Sequence, residues 1–286
     1  MTTKTGKFTE RHSATLKILV ITIMILLLLI PTSMIRSLVS ERKERQKEAI
    51  TEVSSKWGDE QVLTGPILTI PYHTYDVQND GDKINIVSHN ACFLPEELKV
   101  SGSITPTIRY RDMFQVVVYN AKLHFEGKFN TPDFTGLVNK NYEVQDKEAF
   151  FSVGITDMRG VEEYIKFKLD NTVLNCEGGT KIKEIISSGF TTENFNLPTD
   201  SSGTYNFSFD INVNGSNNLS FIPVGKETKV KLTSKWSDPS FDGTFLPDSR
   251  TISDSGFVAN WKVLQFNRNF PQKWHDNEIS FSTSAF

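Results

Sequence analysis

The sequence predicts a mainly β protein: an antiparallel, sandwich-like region of one or two β subdomains, preceded by one long N-terminal helix. Three observations support this fold class. Residues 16–35 are almost purely apolar, residues 36–57 repeat apolar side chains at helical spacing, and the remainder alternates β-rich runs with Gly, Pro, Asn and Ser. We predict a tail at 1–15, a membrane helix at 16–35, a stalk helix at 36–57 and a β region at 58–286, with a seam near 197–203.

The apolar run is long enough to span a bilayer, because a helix rises about 1.5 Å per residue and the hydrocarbon core is about 30 Å thick. Lys17 and Arg36 flank the run, and Thr22 is its one polar residue before Pro31. We favour a retained anchor over a signal peptide, which needs a small-residue cleavage site, and over a buried core helix. The predicted anchor residues are Ile18, Leu19, Val20, Ile21, Ile23, Met24, Ile25, Leu26, Leu27, Leu28, Leu29 and Ile30.

The charges beside the anchor give weak guidance on its orientation. The positive-inside rule counts Lys and Arg near both ends of a membrane helix. These residues are nearly balanced between the leading tail and the stalk, so the rule only modestly favours a cytoplasmic N-terminus and an exported β region.

Composition excludes several classes of partner and cofactor. The 286 residues carry a net charge of −3, so the composition lacks the excess of positive charge that is typical of nucleic-acid-binding proteins. The two cysteines, Cys92 and Cys176, lie far apart without the CxxC spacing of a zinc site. We favour two free thiols, although the pair could form a disulfide in an oxidising compartment.

Strand signals dominate the chain after Trp57. Two turns with hairpin chemistry are predicted, an acidic turn at 76–82 and Asn214-Gly215. A short helical turn is predicted near 158–164. The predicted strands are 66–72, 84–87, 114–127, 150–155, 164–169, 205–213, 219–222, 228–234 and 257–266.

No recognised catalytic motif is present, which predicts a protein that is not an enzyme and holds no cofactor or metal. The sequence lacks HExxH, a GxSxG elbow, a phosphate-binding glycine loop and a dinucleotide fingerprint. The alternative is an envelope hydrolase or glycan-active enzyme, which would require acids such as Asp157, Asp238 and Asp242 to converge. Arg109 and Arg111 share one face of an extended segment, where they could pair with a carboxylate or contact an anion or partner.

Several motifs, in order along the chain, resemble those of the CreD family of bacterial inner-membrane proteins. They begin with a Leu-Leu-Ile-Pro segment at 28–31 and a GPxLxxPY segment at 65–72, and include RYR-x-x-F, IxDxRG and a long aromatic block. The candidate family-motif residues are Pro66, Pro71, Arg109, Arg111, Asp157, Arg159, Gly160, Trp236, Pro239, Phe241, Gly256, Trp261, Arg268 and Trp274.

The resemblance implies a protein linked to cell-envelope integrity, colicin tolerance and an envelope-stress regulon. It implies no catalytic residues, a β domain in the periplasm, and as partners the lipid bilayer and another envelope protein. The family pattern continues with further membrane helices, so the resemblance implies either a truncated reading frame or a variant without them.

Overall fold

The computed structural model describes residues 6–77, 84–138, 141–197, 203–276, 278, 279 and 281. The chain forms two compact units, residues 1–52 with 111–114, and residues 53–110 with 115–286. Within the described residues there is one α-helix, α1 (Gly6–Trp57), and the rest is dominated by β-strands. The mainly β fold class with one long N-terminal helix is confirmed.

Helix α1 joins the predicted anchor and stalk without a break. Its anchor side chains from Ile18 to Ile30 are 48–65% exposed, which rules out a buried core helix. The hydroxyls of Thr22 and Thr32 donate to the carbonyls of Ile18 and Leu28, at 2.9 and 2.8 Å, so these polar groups are satisfied inside the helix as a bilayer requires. Among the described residues this helix alone is long and apolar enough to cross a membrane.

Helix α1 ends where the sequence predicts, at Gly58. The Gly58 amide donates to the Ser54 carbonyl at 2.8 Å, and its φ of 149° lies in a region that side chains rarely adopt. A Cβ atom there would lie 2.5 Å from the Asn214 carbonyl oxygen. Glycine is therefore required both by the backbone angle and by the close approach of a strand.

Fifteen strands follow in the described part of the chain. They are β1 (Gln61–Val77), β2 (Ile84–Phe93), β3 (Glu97–Arg111), β4 (Phe114–Asn130), β5 (Tyr142–Val144), β6 (Phe150–Ile155), β7 (Lys166–Leu169), β8 (Thr172–Gly178), β9 (Gly189–Thr192), β10 (Thr204–Ser216), β11 (Leu219–Ile222), β12 (Glu227–Ser234), β13 (Ser249–Ser253), β14 (Gly256–Leu264) and β15 (Lys273–His275).

The strands form one hydrogen-bonded path in the order β13-β14-β12-β3-β4-β10-β7-β8-β9-β6-β1-β2-β15, with β5 and β11 also pairing with β1. Most pairs are antiparallel, as predicted. Among the pairings between described residues, two are parallel, β3 with β12 and β1 with β11, so the sheet is mixed. Parallel neighbours need a long connection, which no local turn signal in the sequence can reveal.

One apolar core lies between strands that are distant in this path. The Phe129 ring on β4 is 5.3 Å from the Phe151 ring on β6, and Phe151 stacks on Phe167 of β7 at 4.5 Å. The alternation of side chains along β4 forms part of this core, because Leu123 and Phe125 are buried while the flanking Lys122 and Glu126 are exposed.

The predicted hairpin at Asn214-Gly215 is wrong. Strand β10 continues through both residues to Ser216, and β11 pairs with β1 instead of β10. The chain turns at Asn217, whose φ is 56°. Gly215 allows the Tyr119 side chain to pack directly against the β10 backbone, since a Cβ atom there would lie 2.3 Å from the Tyr119 hydroxyl. The tip of the acidic turn, 78–83, and the core of the expected seam, 198–202, lie outside the described residues.

Other details differ from the prediction or extend it, including six strands that the sequence did not predict, β3, β5, β8, β9, β13 and β15. Strand β1 is longer than the predicted run 66–72 and carries a register shift between Thr64 and Ile67, beside Pro66. Cys92 and Cys176 are free thiols. Burial raises the pKa of Cys92 to about 12 and that of Cys176 to about 11, so both thiols are poor nucleophiles at neutral pH.

Candidate interaction sites of the β region

Asp157 and Arg159 form the centre of a polar network around the last turn of α1. The Arg159 guanidinium donates to both Asp157 carboxylate oxygens at 2.8 Å, to the Asp59 carboxylate at 2.8 Å and to the Ser55 carbonyl at 2.9 Å. The Ser55 carbonyl belongs to the last turn, where cations complement the helix dipole. The predicted motif residues thus bind the end of the helix.

The Asp157 carboxylate is nearly enclosed, with 9% of its side chain exposed. It also accepts from the backbone amides of Asp59 at 3.0 Å and Arg159 at 3.1 Å. The Arg159 hydrogen bonds, followed by these amides, hold its pKa at about 2, below the usual 3.8. Asp157 is therefore a structural anion rather than an acid suited to proton transfer near neutral pH.

Gln61 and Gly160 complete this network. The buried Gln61 amide donates to the carbonyls of Asp157 and Asn214 at 3.0 and 2.9 Å, and its oxygen accepts from the Asp157 amide at 3.2 Å. A Cβ atom on Gly160 would lie 2.3 Å from the Asn214 carbonyl oxygen. Because Gly160 has no side chain, β10 can contact the loop that carries Asp157.

The two arginines of the RYR motif have different partners. The Arg109 guanidinium lies 4.5 Å from the centre of the Trp57 ring, whose indole nitrogen donates to the Tyr119 carbonyl at 3.1 Å. In the helical unit, Arg111 donates to the Glu52 carboxylate at 2.8 Å, with half of the Arg111 side chain exposed. Arg111 thus has a carboxylate partner, one of the alternatives that the sequence suggested, in a half-exposed pair.

The aromatic block lines an open groove of about 350 Å³. Trp236, Phe241 and Trp261 are half-buried there, and the Phe241 ring meets Trp261 at 5.7 Å and Phe257 at 5.5 Å. The Trp236 indole donates to the Asp238 carbonyl at 2.7 Å, which fixes the loop that forms one wall. Other lining residues are Pro239, Tyr119, Phe221, Asn218, Ser220, Ser240, Asp238 and Asp242.

Five further motif residues have structural positions away from this groove. Trp274 is buried on β15, and Gly256 is the first residue of β14. Pro66 is a buried residue of β1, and the Pro71 carbonyl accepts a hydrogen bond from the Gln145 amide at 2.9 Å. The Arg268 guanidinium donates to the Val224 carbonyl and to the Gln272 side chain, and burial lowers its pKa to about 10. Gln272 in turn donates to the carbonyls of Leu94 and Pro95, both at 2.8 Å.

The acids proposed for a hydrolytic site do not all come together. Asp238 and Asp242 line the aromatic groove, whereas Asp157 belongs to the network at the helix end. In the part of the chain that the structure describes, no cluster of His, Cys, Asp or Glu has metal-binding geometry.

Sequence reasoning found the motif residues but missed their partners. Asp59, Gln61 and Ser55 complete the network, yet they lie about 100 positions from Arg159 or Asp157. The one local signal is that Asp59 and Gln61 directly follow the predicted helix stop at Gly58. Tyr119 and Phe221, which lie in predicted strands and in the segments that resemble the family, also line the groove.

Comparison with known proteins gives a consistent assignment. A family model described as inner membrane protein CreD matches residues 13–286. The inner membrane protein CreD of Escherichia coli (strain K12) is 28% identical over 254 residues, which cover 87% of this chain and 55% of the relative. The chain thus spans about half the length of this relative. Because the family model covers nearly the whole chain, including the anchor and the β region, the protein belongs to the CreD family of inner membrane proteins.

Proposed function

We propose that this protein supports cell-envelope integrity by holding its β region in the periplasm, where the aromatic groove binds another envelope protein. In this proposal the protein acts in the envelope-stress response, and colicin tolerance is one consequence of altered contacts. Family membership and the apolar part of α1 support attachment to the inner membrane. The groove is the observation that carries the proposed mode of action.

The groove has the features of a protein-binding surface. Trp236, Phe241 and Trp261 stay half-exposed although the same sheet buries most of its other aromatic side chains. Clustered tryptophan and other aromatic side chains dominate the energetics of many protein interfaces. Asp238, Ser240 and Asp242 supply a polar rim.

We further propose that the groove binds without catalysis. Asp157, the third member of the acid set considered for a hydrolase, is engaged by Arg159 and Asp59 in the helix-end network. A hydrolase would lose turnover on Asp238→Asn or Asp242→Asn, whereas a binding groove would retain its partner in both variants.

Photocrosslinking from the groove tests the binding proposal. A benzophenone amino acid at Ser240, which is exposed and lines the groove, is expected to capture one reproducible envelope protein in intact cells. When the probe at Ser240 is combined with Phe241→Ala, the crosslinking yield should fall at least about tenfold. The substitution removes an aromatic side chain of the kind that contributes more than ~1.4 kcal/mol to the free energy of binding. The same probe at Thr251 on β13, an exposed position outside the groove lining, is the matched control. Equal yields from both positions, or no captured protein, would contradict the proposal.

Thiol labelling of spheroplasts tests the periplasmic placement. A membrane-impermeant maleimide is expected to label Leu246→Cys, since Leu246 is 63% exposed, and to leave Thr3→Cys unlabelled until lysis. The native chain should react little, because Cys92 is buried, Cys176 is half-buried and both thiols have raised pKa values. The reverse labelling pattern would place the β region in the cytoplasm.

A further inference from the structure

A second depression, separate from the aromatic groove, lies on the outward face of β3, β4, β10 and β7. Its volume is about 790 Å³, within the usual range of small-ligand sites. Three lysines from two strands, Lys122, Lys166 and Lys168, line it together with His124 and Tyr164. The chain as a whole is acidic, with a net charge of −3, so overall composition does not explain this local basic cluster.

Strand register explains how the lysines meet. Lys122 on β4 pairs with Asn212 on β10, and Ser208 on β10 pairs with Lys168 on β7. Alternate side chains share a face, so Lys166 and Lys168 point to the same side, while Phe167 between them is buried. The lysines are therefore held by regular sheet rather than by loops.

Both acids of this depression, Asp210 and Glu163, have hydrogen-bond partners other than its lysines. Asp210 accepts from His124 at 2.7 Å, and Glu163 accepts from the Asn212 amide at 2.7 Å. Within the described residues none of Lys122, Lys166 and Lys168 forms an ion pair.

The neighbouring strands of the same sheet show the opposite arrangement. Lys99, Lys229 and Lys262 lie directly opposite one another across β3, β12 and β14. Each of them pairs with glutamate, for example Lys262 with Glu227 at 2.9 Å and Lys99 with Glu97 at 3.3 Å. These three facing lysines are paired with glutamates, whereas Lys122, Lys166 and Lys168 in the depression are open to a ligand.

Neutral groups in the depression suit a sugar. Ser101, Ser103 and Ser208 line it with hydroxyl-bearing side chains. Tyr164 is fully exposed on its rim, where an aromatic ring can stack against the apolar face of a pyranose. Lysine ammonium groups bind phosphate as point charges.

We propose that this depression binds a phosphate-bearing glycan, with Lys122, Lys166 and Lys168 on the phosphates and the serines and Tyr164 on the sugar. The site is independent of the aromatic groove. Only its access to envelope glycans rests on the periplasmic placement proposed above, and a binding assay on purified protein does not depend on that placement.

Binding of purified full-length protein in detergent to rough lipopolysaccharide with a phosphorylated inner core tests the site. Lys122→Ala combined with Lys166→Ala and Lys168→Ala should weaken binding at least about tenfold, because three exposed charge contacts are lost. Replacing the same three residues with arginine should largely preserve binding. The wild-type affinity should fall as salt is raised, and enzymatic removal of the phosphates should abolish binding.

Controls separate a specific site from general charge attraction. Lys231→Ala removes another outward lysine of the same sheet, outside the depression, and should leave affinity unchanged. Unchanged melting temperatures of all variants would show that the fold is intact. Equal binding by the triple alanine variant, equal binding of dephosphorylated lipopolysaccharide, or matching affinity for phosphatidylglycerol vesicles would overturn the glycan assignment. None of these outcomes depends on the aromatic groove or on membrane orientation.

Discussion

Gly160→Ala is expected to destabilise the β region by about 3 kcal/mol, at the upper end of the cost of overpacking a close contact. The new Cβ atom would lie 2.3 Å from the Asn214 carbonyl oxygen and 2.9 Å from the Gln61 amide nitrogen. Neither neighbour can move easily, since Gln61 is fully buried and makes hydrogen bonds to both adjoining segments. Denaturant unfolding of the purified protein measures the loss.

Gly178→Ala is the matched control for this substitution. Gly178 ends β8, has no heavy atom within 4 Å of an added Cβ, and has an ordinary backbone angle for a side chain. Its replacement should change the free energy of unfolding by less than about 0.5 kcal/mol. Similar losses for the two alanine variants would show that the contact with Asn214 is not what makes Gly160 necessary.

Asp157→Asn is expected to cost about 3 kcal/mol at pH 7, because it removes the negative partner of Arg159 and leaves poorly satisfied donors around a nearly enclosed position. The loss should shrink in acid. The native pKa of about 2 lies below the usual 3.8, so the carboxylate contributes its full stabilisation above about pH 4. That contribution declines as pH falls towards 2, and the shift corresponds to roughly 2 kcal/mol.

Unfolding free energies measured from pH 7 to pH 2 test this expectation. The difference between wild type and Asp157→Asn should narrow below pH 4, while Asp254→Asn, which alters an exposed carboxylate in the turn between β13 and β14, should match wild type throughout. A constant difference across the whole range would mean that the charge of Asp157 contributes nothing. Arg159→Lys should lose part of the same stabilisation, because an ammonium group cannot bind both carboxylate oxygens in the guanidinium's planar geometry.

The sequence was most informative where a pattern is local. The anchor, the helix stop at Gly58 and the long alternating strand β4 all follow from side-chain periodicity and backbone preference. Strand β13 was missed because all five of its side chains are exposed, which leaves no alternation to detect. The hairpin prediction at Asn214-Gly215 is wrong because the sequence does not show why a glycine is needed. Gly215 makes room for the Tyr119 side chain instead of forming a turn.

The sequence identified many residues of the candidate sites, but it could not predict which of them contact one another in the fold. Asp157, Arg159 and Gly160 were identified through motif resemblance, yet their role depends on Ser55, Asp59 and Gln61 from a distant segment. Likewise, nothing in the sequence separates Trp236 in the groove from the buried Trp274. The lysine depression needed the registers of β4, β10 and β7, which sequence alone does not supply.

The parallel pairing of β3 with β12 sets the order in which the molecule can be assembled. Thr233 donates to the Gly102 carbonyl at 3.2 Å across 131 residues of intervening chain. At about 5–20 residues per second, a ribosome needs roughly ten seconds to produce that interval. Throughout it, the β3 edge has no native neighbour on one side, and contacts this remote in sequence also form slowly. Until β12 is made, this edge of β3 is an unpaired strand edge of the kind that pairs with other chains.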